Sequence, residues 1–192
     1  MKKALHYSLA YNGSLNFTVA NYSRDVGGDF KDDHGPSIGA FWSDLDPRGH
    51  VDARIYMNNS TFNGDDAYIF TWFNIPDIYN NDLINTFQAI ITETGQIQLN
   101  FLSLDGVDHR GHLEAGVIGI SDGSGSDFDY QTMDTWTFPR SGFSIGYALD
   151  NGTYVRSEWD WEPSAAPVPE PSTLILLGIG LLGFAGVNRR KK

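Results

Sequence analysis

The chain has 192 residues, no cysteine and a formal net charge of −11. That length leaves room for one domain with a proper core, and the lack of cysteine excludes a disulfide framework, a thiol nucleophile and a zinc–thiolate site. Setting aside the four cations at 189–192 leaves nine Lys and Arg against 24 Asp and Glu, a net charge of −15; so acidic a surface repels phosphate backbones, and no nucleic-acid partner is expected.

With 14% aromatic residues and 21 glycines, the composition suits β structure with many tight connections rather than a disordered acidic segment. Met1-Lys2-Lys3-Ala4-Leu5 opens like an export signal, but His6, Tyr7 and Ser8 interrupt the apolar stretch that such a signal needs. The expectation is that an N-terminal segment is missing. Leu15 to Val19 alternates apolar and polar residues and reads as a half-buried strand. The acid- and glycine-rich stretch from Arg24 to Pro36 follows as exposed turns.

Ile38 to Trp42 is an apolar strand that gives way to Ser43-Asp44-Leu45-Asp46-Pro47, with Asp44 and Asp46 on the same side of an extended chain. Arg54 to Met57 reads as a short strand ending in an Asn-Asn-Ser-Thr turn. Ala67 to Phe73 is apolar on both faces, the pattern of a strand buried on both sides. Between Asn85 and Phe101 two alternating runs meet at Thr94-Gly95, which predicts a β-hairpin with its glutamines and threonines facing water. Ala115–Ile120, Phe143–Ala148 and Thr153–Trp159 supply further short strands, and Asp122 to Asp129 reads as an acidic loop.

Pro163, Pro167, Pro169 and Pro171 make the next stretch a stiff, extended spacer. Leu174 to Val187 is apolar and glycine-rich; counted from Ser172, it would make a helix roughly 24 Å long. That is short for a full membrane span. Lipid tolerates the glycines, and Arg189, Arg190, Lys191 and Lys192 suit a cytoplasmic end, where they can snorkel. The predicted fold is therefore all-β: an antiparallel β-sandwich-like domain, then a Pro-rich stalk and one C-terminal transmembrane helix. The expected boundaries are an N-terminal strand and acidic loop at 1–37, a β domain at 38–161, a linker at 162–171 and a tail at 168–192 with its membrane segment at 172–187.

Val168-Pro169-Glu170-Pro171-Ser172, the apolar segment and the basic cluster, in that order, resemble a PEP-CTERM sorting signal. The resemblance implies a Gram-negative protein that is exported and held in the inner membrane by its tail. An exosortase would process it near Pro169-Glu170-Pro171, and the family is associated with exopolysaccharide and biofilm matrix. A second resemblance covers Ile38 to Ala148. Ile38 to Asp46, Arg54-Ile55-Tyr56, Thr71-Trp72, Asn85 to Ile91 with Gly95, and Glu114-Ala115-Gly116 are similar to the NIDO domain of nidogens, which implies a non-catalytic module of cell-matrix adhesion.

Several constellations could carry chemistry. Asp44 and Asp46 could contribute to a Ca²⁺ site, which takes six to eight oxygens, or could simply end the strand and satisfy the turn. Asp122, Asp127 and Asp129 offer a calcium loop or a flexible acidic one; the EF-hand glutamate is missing, since Met133 holds that position. His109 and His112 lack the His-Glu-x-x-His order and read as a solvated turn. No Gly-x-Ser-x-Gly elbow occurs, and among 24 acids no pair stands out as a glycosidase dyad. The leading expectation is a non-enzymatic surface or matrix protein. The alternative is a Ca²⁺-dependent carbohydrate-binding module using Trp136, Trp159 or Trp161 to stack on sugars near Asp44 and Asp46. A polysaccharide hydrolase is the weakest reading.

Overall fold

The computed structural model describes residues 8–18, 35–107, 116–124, 128–133 and 141–160. The chain divides into two compact units, 1–161 and 162–192. Everything described lies in the first, and it is all-β apart from one 3₁₀ turn at Pro47–Gly49. Two antiparallel sheets build it. The smaller contains β1 (Ser8–Leu9), β2 (Ser14–Asn16), β3 (Ser37–Ser43), β8 (Gly116–Ser121) and β9 (Phe128–Met133), in that spatial order. The larger runs β11 (Thr153–Asp160), β10 (Phe143–Asp150), β7 (Ile97–Leu104), β6 (Ile84–Thr92), β5 (Asp65–Pro76), β4 (Arg54–Phe62).

Alternation explains how the two sheets meet. Phe87 and Ala89 of β6, Leu99 and Phe101 of β7 and Ile145 of β10 point to one side and are fully buried, while the residues between them point away. They pack on Leu15, Ile38, Ala40, Phe41, Ile118 and Ile120 of the smaller sheet in one continuous core. The aromatic centre of that core is Trp72 stacked on Phe87 at 5.0 Å, with Phe41 of the opposing sheet 5.3 Å from Phe87. The Trp72 indole N–H also donates across to the Ala10 carbonyl at 3.0 Å.

The hairpin predicted at Asn85–Phe101 is present as β6 and β7, turning at Gly95. Other expectations change. Asn58 to Thr61, expected as a turn, continues β4, and the chain reverses instead at Asn63-Gly64. There φ is 52° and 91°, the left-handed pair of a two-residue turn whose twist matches its strands; Asn151-Gly152 repeats it at 50° and 86°. Sequence alternation could not show that β4 is a long edge strand, because most of its side chains are exposed on both sides. Ala67–Phe73, read as buried on both faces, lies within β5. Phe70 and Trp72 are fully buried while Phe73 is exposed, so only one face meets the core. A bulge between Trp72 and Ile75, with Asn74 at φ 52°, inserts one residue and returns Ile75 to the core face. Asp129, placed in an acidic loop by the sequence, belongs to β9, a strand the sequence reading missed.

Candidate functional site

Register fixes what the outer face of the larger sheet presents. Residues directly opposite each other in adjacent strands share a face, so one rung runs Tyr56, Thr71, Gln88, Asn100, Ser144, Trp159 across all six strands. The next runs Asn58, Ile69, Ile90, Gln98, Gly146, Ser157. The polar groups of these rungs hold one another in place. Gln88 donates to Thr71 Oγ1 at 3.0 Å, while Ser144 Oγ and Gln98 Nε2 both donate to Asn100 Oδ1, at 2.8 and 2.6 Å. The rotamers of these amides are therefore set before any ligand arrives.

Aromatic rings stand at both ends. Tyr56, 47% exposed, lies 6.5 Å from the half-exposed Phe73 ring at the β4 end. At the β11 end Trp159 lies over Gly146, where an added Cβ would meet its ring carbons at 2.8 Å, so only glycine allows the indole to lie against the sheet. Trp159 and Gly146, with Ile90, Gln98, Ser157 and Phe62, border an open pocket of about 150 Å³. Trp159 was a stacking candidate from sequence. Neither Asp44 nor Asp46 lines that pocket, so the structure does not bring the three together.

Asp46 caps the 3₁₀ turn and gives both carboxylate oxygens to Arg48, at 2.6 to 3.1 Å. The Arg48 hydrogen bonds hold its carboxyl below the usual aspartate value of 3.8. Asp44 has its Oδ2 3.5 Å from the Tyr79 hydroxyl. Among the described residues, no three His, Asp or Glu side chains converge on one point. A depressed carboxyl stabilises the fold above its unfolded value and loses that contribution as pH falls through the folded one. Asp46→Asn should therefore lower stability at pH 7 and narrow its gap from the parent below about pH 4, read by urea melts across pH 2.5–7.

Asp122 Oδ1 accepts from the Ser124 backbone N–H at 2.8 Å, closing a local turn. Asp129 reaches Arg156 of β11 at 3.5 Å, an ion pair between edge strands of the two sheets. Arg156 also pairs with Glu158. Asp127, His109, His112, Trp136 and Trp161 lie outside the described residues, as do Val168, Pro169, Glu170, Pro171, Ser172, the segment 172–187 and the cations Arg189 to Lys192. Among the described residues no helix is long and apolar enough to cross a membrane.

Residues 167–191 match the family model of the PEP-CTERM protein-sorting motif. The matched stretch takes in the Val-Pro-Glu-Pro-Ser motif, the apolar run and the first three of the four terminal cations. This PEP-CTERM match implies export and membrane anchoring before processing. No curated protein and no solved structure matches the chain. The sequence had Gln88 and Gln98 facing water, but it missed Tyr56 and the Gly146–Trp159 pair. A lone glycine facing a tryptophan 13 positions on becomes a signal only once β10 and β11 are read as a hairpin around Asn151-Gly152.

Proposed function

We propose that the chain is a non-enzymatic, exported surface or matrix protein of a Gram-negative bacterium whose tail is recognised by an exosortase in the inner membrane. The match of residues 167–191 to the PEP-CTERM motif carries this reading. The tail retains the protein in the inner membrane until it is processed near Pro169-Glu170-Pro171, and the β unit then reaches the cell surface or the matrix. The nidogen-like motif order from Ile38 to Ala148 supports a part in cell-matrix adhesion or in organising exopolysaccharide and biofilm. A Ca²⁺-dependent site at Asp44 and Asp46 is the less favoured reading, because Asp46 already spends both oxygens on Arg48.

Fractionation of cells expressing the tagged chain, with and without the exosortase, tests this, together with mass spectrometry of the mature C-terminus. The expected result is a membrane-bound, full-length species without the enzyme and a species shortened near residue 170 with it. Cytosolic protein in both strains overturns the proposal.

A further inference from the structure

The outer face of the larger sheet is partly exposed yet carries no charge along its middle rungs. The chain carries 24 acids, yet the two rungs from Tyr56 to Trp159 and from Asn58 to Ser157 hold no Asp, Glu, Lys or Arg. The next rung adds Ser60, Ala67 and Thr92 on one side and Ala148 with Val155 on the other, also without charge. Solubility alone gives no reason to clear charge from one face of so acidic a protein, since exposed sheet faces ordinarily carry charged residues.

We propose that this face binds an uncharged polysaccharide chain, laid across the strands from Tyr56 to Trp159. Each part of the face suits that occupant and fits others less well. Gln88, Gln98 and Asn100 present half-buried amides and Thr71 a hydroxyl, groups that both donate and accept, as sugar hydroxyls require, while the buried Ser144 holds Asn100 from beneath. Hydrogen bonds among them fix their directions, so little side-chain entropy is lost on binding. Tyr56 and Trp159 offer flat apolar rings with a polar edge, suited to the C–H face of a sugar ring. Five strand spacings of about 4.8 Å separate them by about 24 Å, room for several sugar rings in a row. A polyanion would find no cation along these rungs, since Arg54, one rung beyond Tyr56, turns its guanidinium onto the Val51 and Ala53 carbonyls, and it would meet an acidic protein around them. A protein partner would meet large exposed apolar side chains only at the two ends, Tyr56 and Phe73 at one and Val155 and Trp159 at the other, and not the central apolar anchor that such interfaces use. The pocket beside Trp159 marks the subsite where one ring stacks on the indole, with Gln98 and Ser157 alongside.

This deepens the exported-matrix reading and takes its biological setting from it, but binding is measured on purified protein and fails or succeeds apart from tail processing. The test is affinity electrophoresis of the full chain, in a detergent without a sugar headgroup, through gels containing a mixed-linkage β-glucan, xylan, galactomannan or alginate. Retardation is expected in at least one neutral gel, unchanged by EDTA, and absent in alginate. Trp159→Ala and Tyr56→Ala should each weaken it at least about tenfold while melting with the parent. Gly146→Val, which displaces the indole, should match Trp159→Ala. No retardation in any neutral gel, equal retardation in alginate, loss with EDTA, or indifference to both aromatic substitutions overturns the proposal. A dimer that Trp159→Ala dissolves gives the face to a second copy and overturns it as well.

Discussion

Trp72→Ala is expected to cost about 3–5 kcal/mol, and to lower the melting temperature of the full chain by roughly 6–20 °C for a unit of this size. The indole is fully buried, and it occupies the point where the two sheets touch: it stacks on Phe87, which in turn meets Phe41. Truncation leaves a cavity that β5 cannot close, because it is held in register on both sides by β4 and β6. It also removes the shorter of the two hydrogen bonds to the Ala10 carbonyl, the indole N–H at 3.0 Å, leaving the Gly13 N–H at 3.4 Å. Trp72→Phe separates the two effects, keeping a ring against Phe87 while losing the hydrogen bond, at about 1–3 kcal/mol. Urea melts with an unchanged m-value would show that the loss is one of stability. A Trp72→Ala protein that melts within a few degrees of the parent would mean that the sheets are not joined here.

Asn85→Ala comes next, at about 2–4 kcal/mol. Asn85 is fully buried, and its amide binds the Gly106 backbone in both directions: Nδ2 donates to the Gly106 carbonyl at 2.9 Å and Oδ1 accepts the Gly106 N–H at 3.0 Å. Beside it, Asp105 and Ile84 exchange a second pair of hydrogen bonds, so the chain leaving β7 is fastened to the start of β6. Alanine leaves two backbone groups without their partner. No other residue type offers a donor and an acceptor in that plane at that length, glutamine being one methylene too long. Asn58→Ala, on the exposed edge strand, should by contrast change stability by no more than about 0.5 kcal/mol. Differential scanning calorimetry of the three proteins checks both statements.

Where side chains alternate between core and water, the sequence was legible. β6 and β7 could be read directly, because Phe87, Ala89, Leu99 and Phe101 face the core while Gln88, Gln98 and Asn100 do not. β3 was legible too, its apolar run being buried along all seven residues. The pattern failed where burial is absent or shared unequally. β4 is an edge with few buried side chains, and Asn58 to Thr61 carry turn propensity that pairing with β5 overrides. The bulge in β5 shifts the phase of alternation by one residue, which no count of apolar positions can anticipate. β9 follows an acid- and glycine-rich stretch, and only its pairing with β8 makes it a strand.

For the candidate sites, the division falls along the same physical line. The sorting tail is a linear signal: its motif, apolar segment and cations are contiguous in the chain, so it can be read without a fold, and residues 167–191 match accordingly. All-β class and the water-facing amides were also fixed locally, by a period of two. Which of those outward residues become neighbours depends on how the strands pair. Tyr56 and Trp159 are more than a hundred residues apart in sequence, yet register across six strands sets them in one rung. Asp44 and Asp46, side by side in sequence, are by contrast taken up by different partners, Tyr79 and Arg48. A ligand surface on a sheet is assembled by hydrogen-bonded pairing between distant strands, and that pairing is a property of the folded chain.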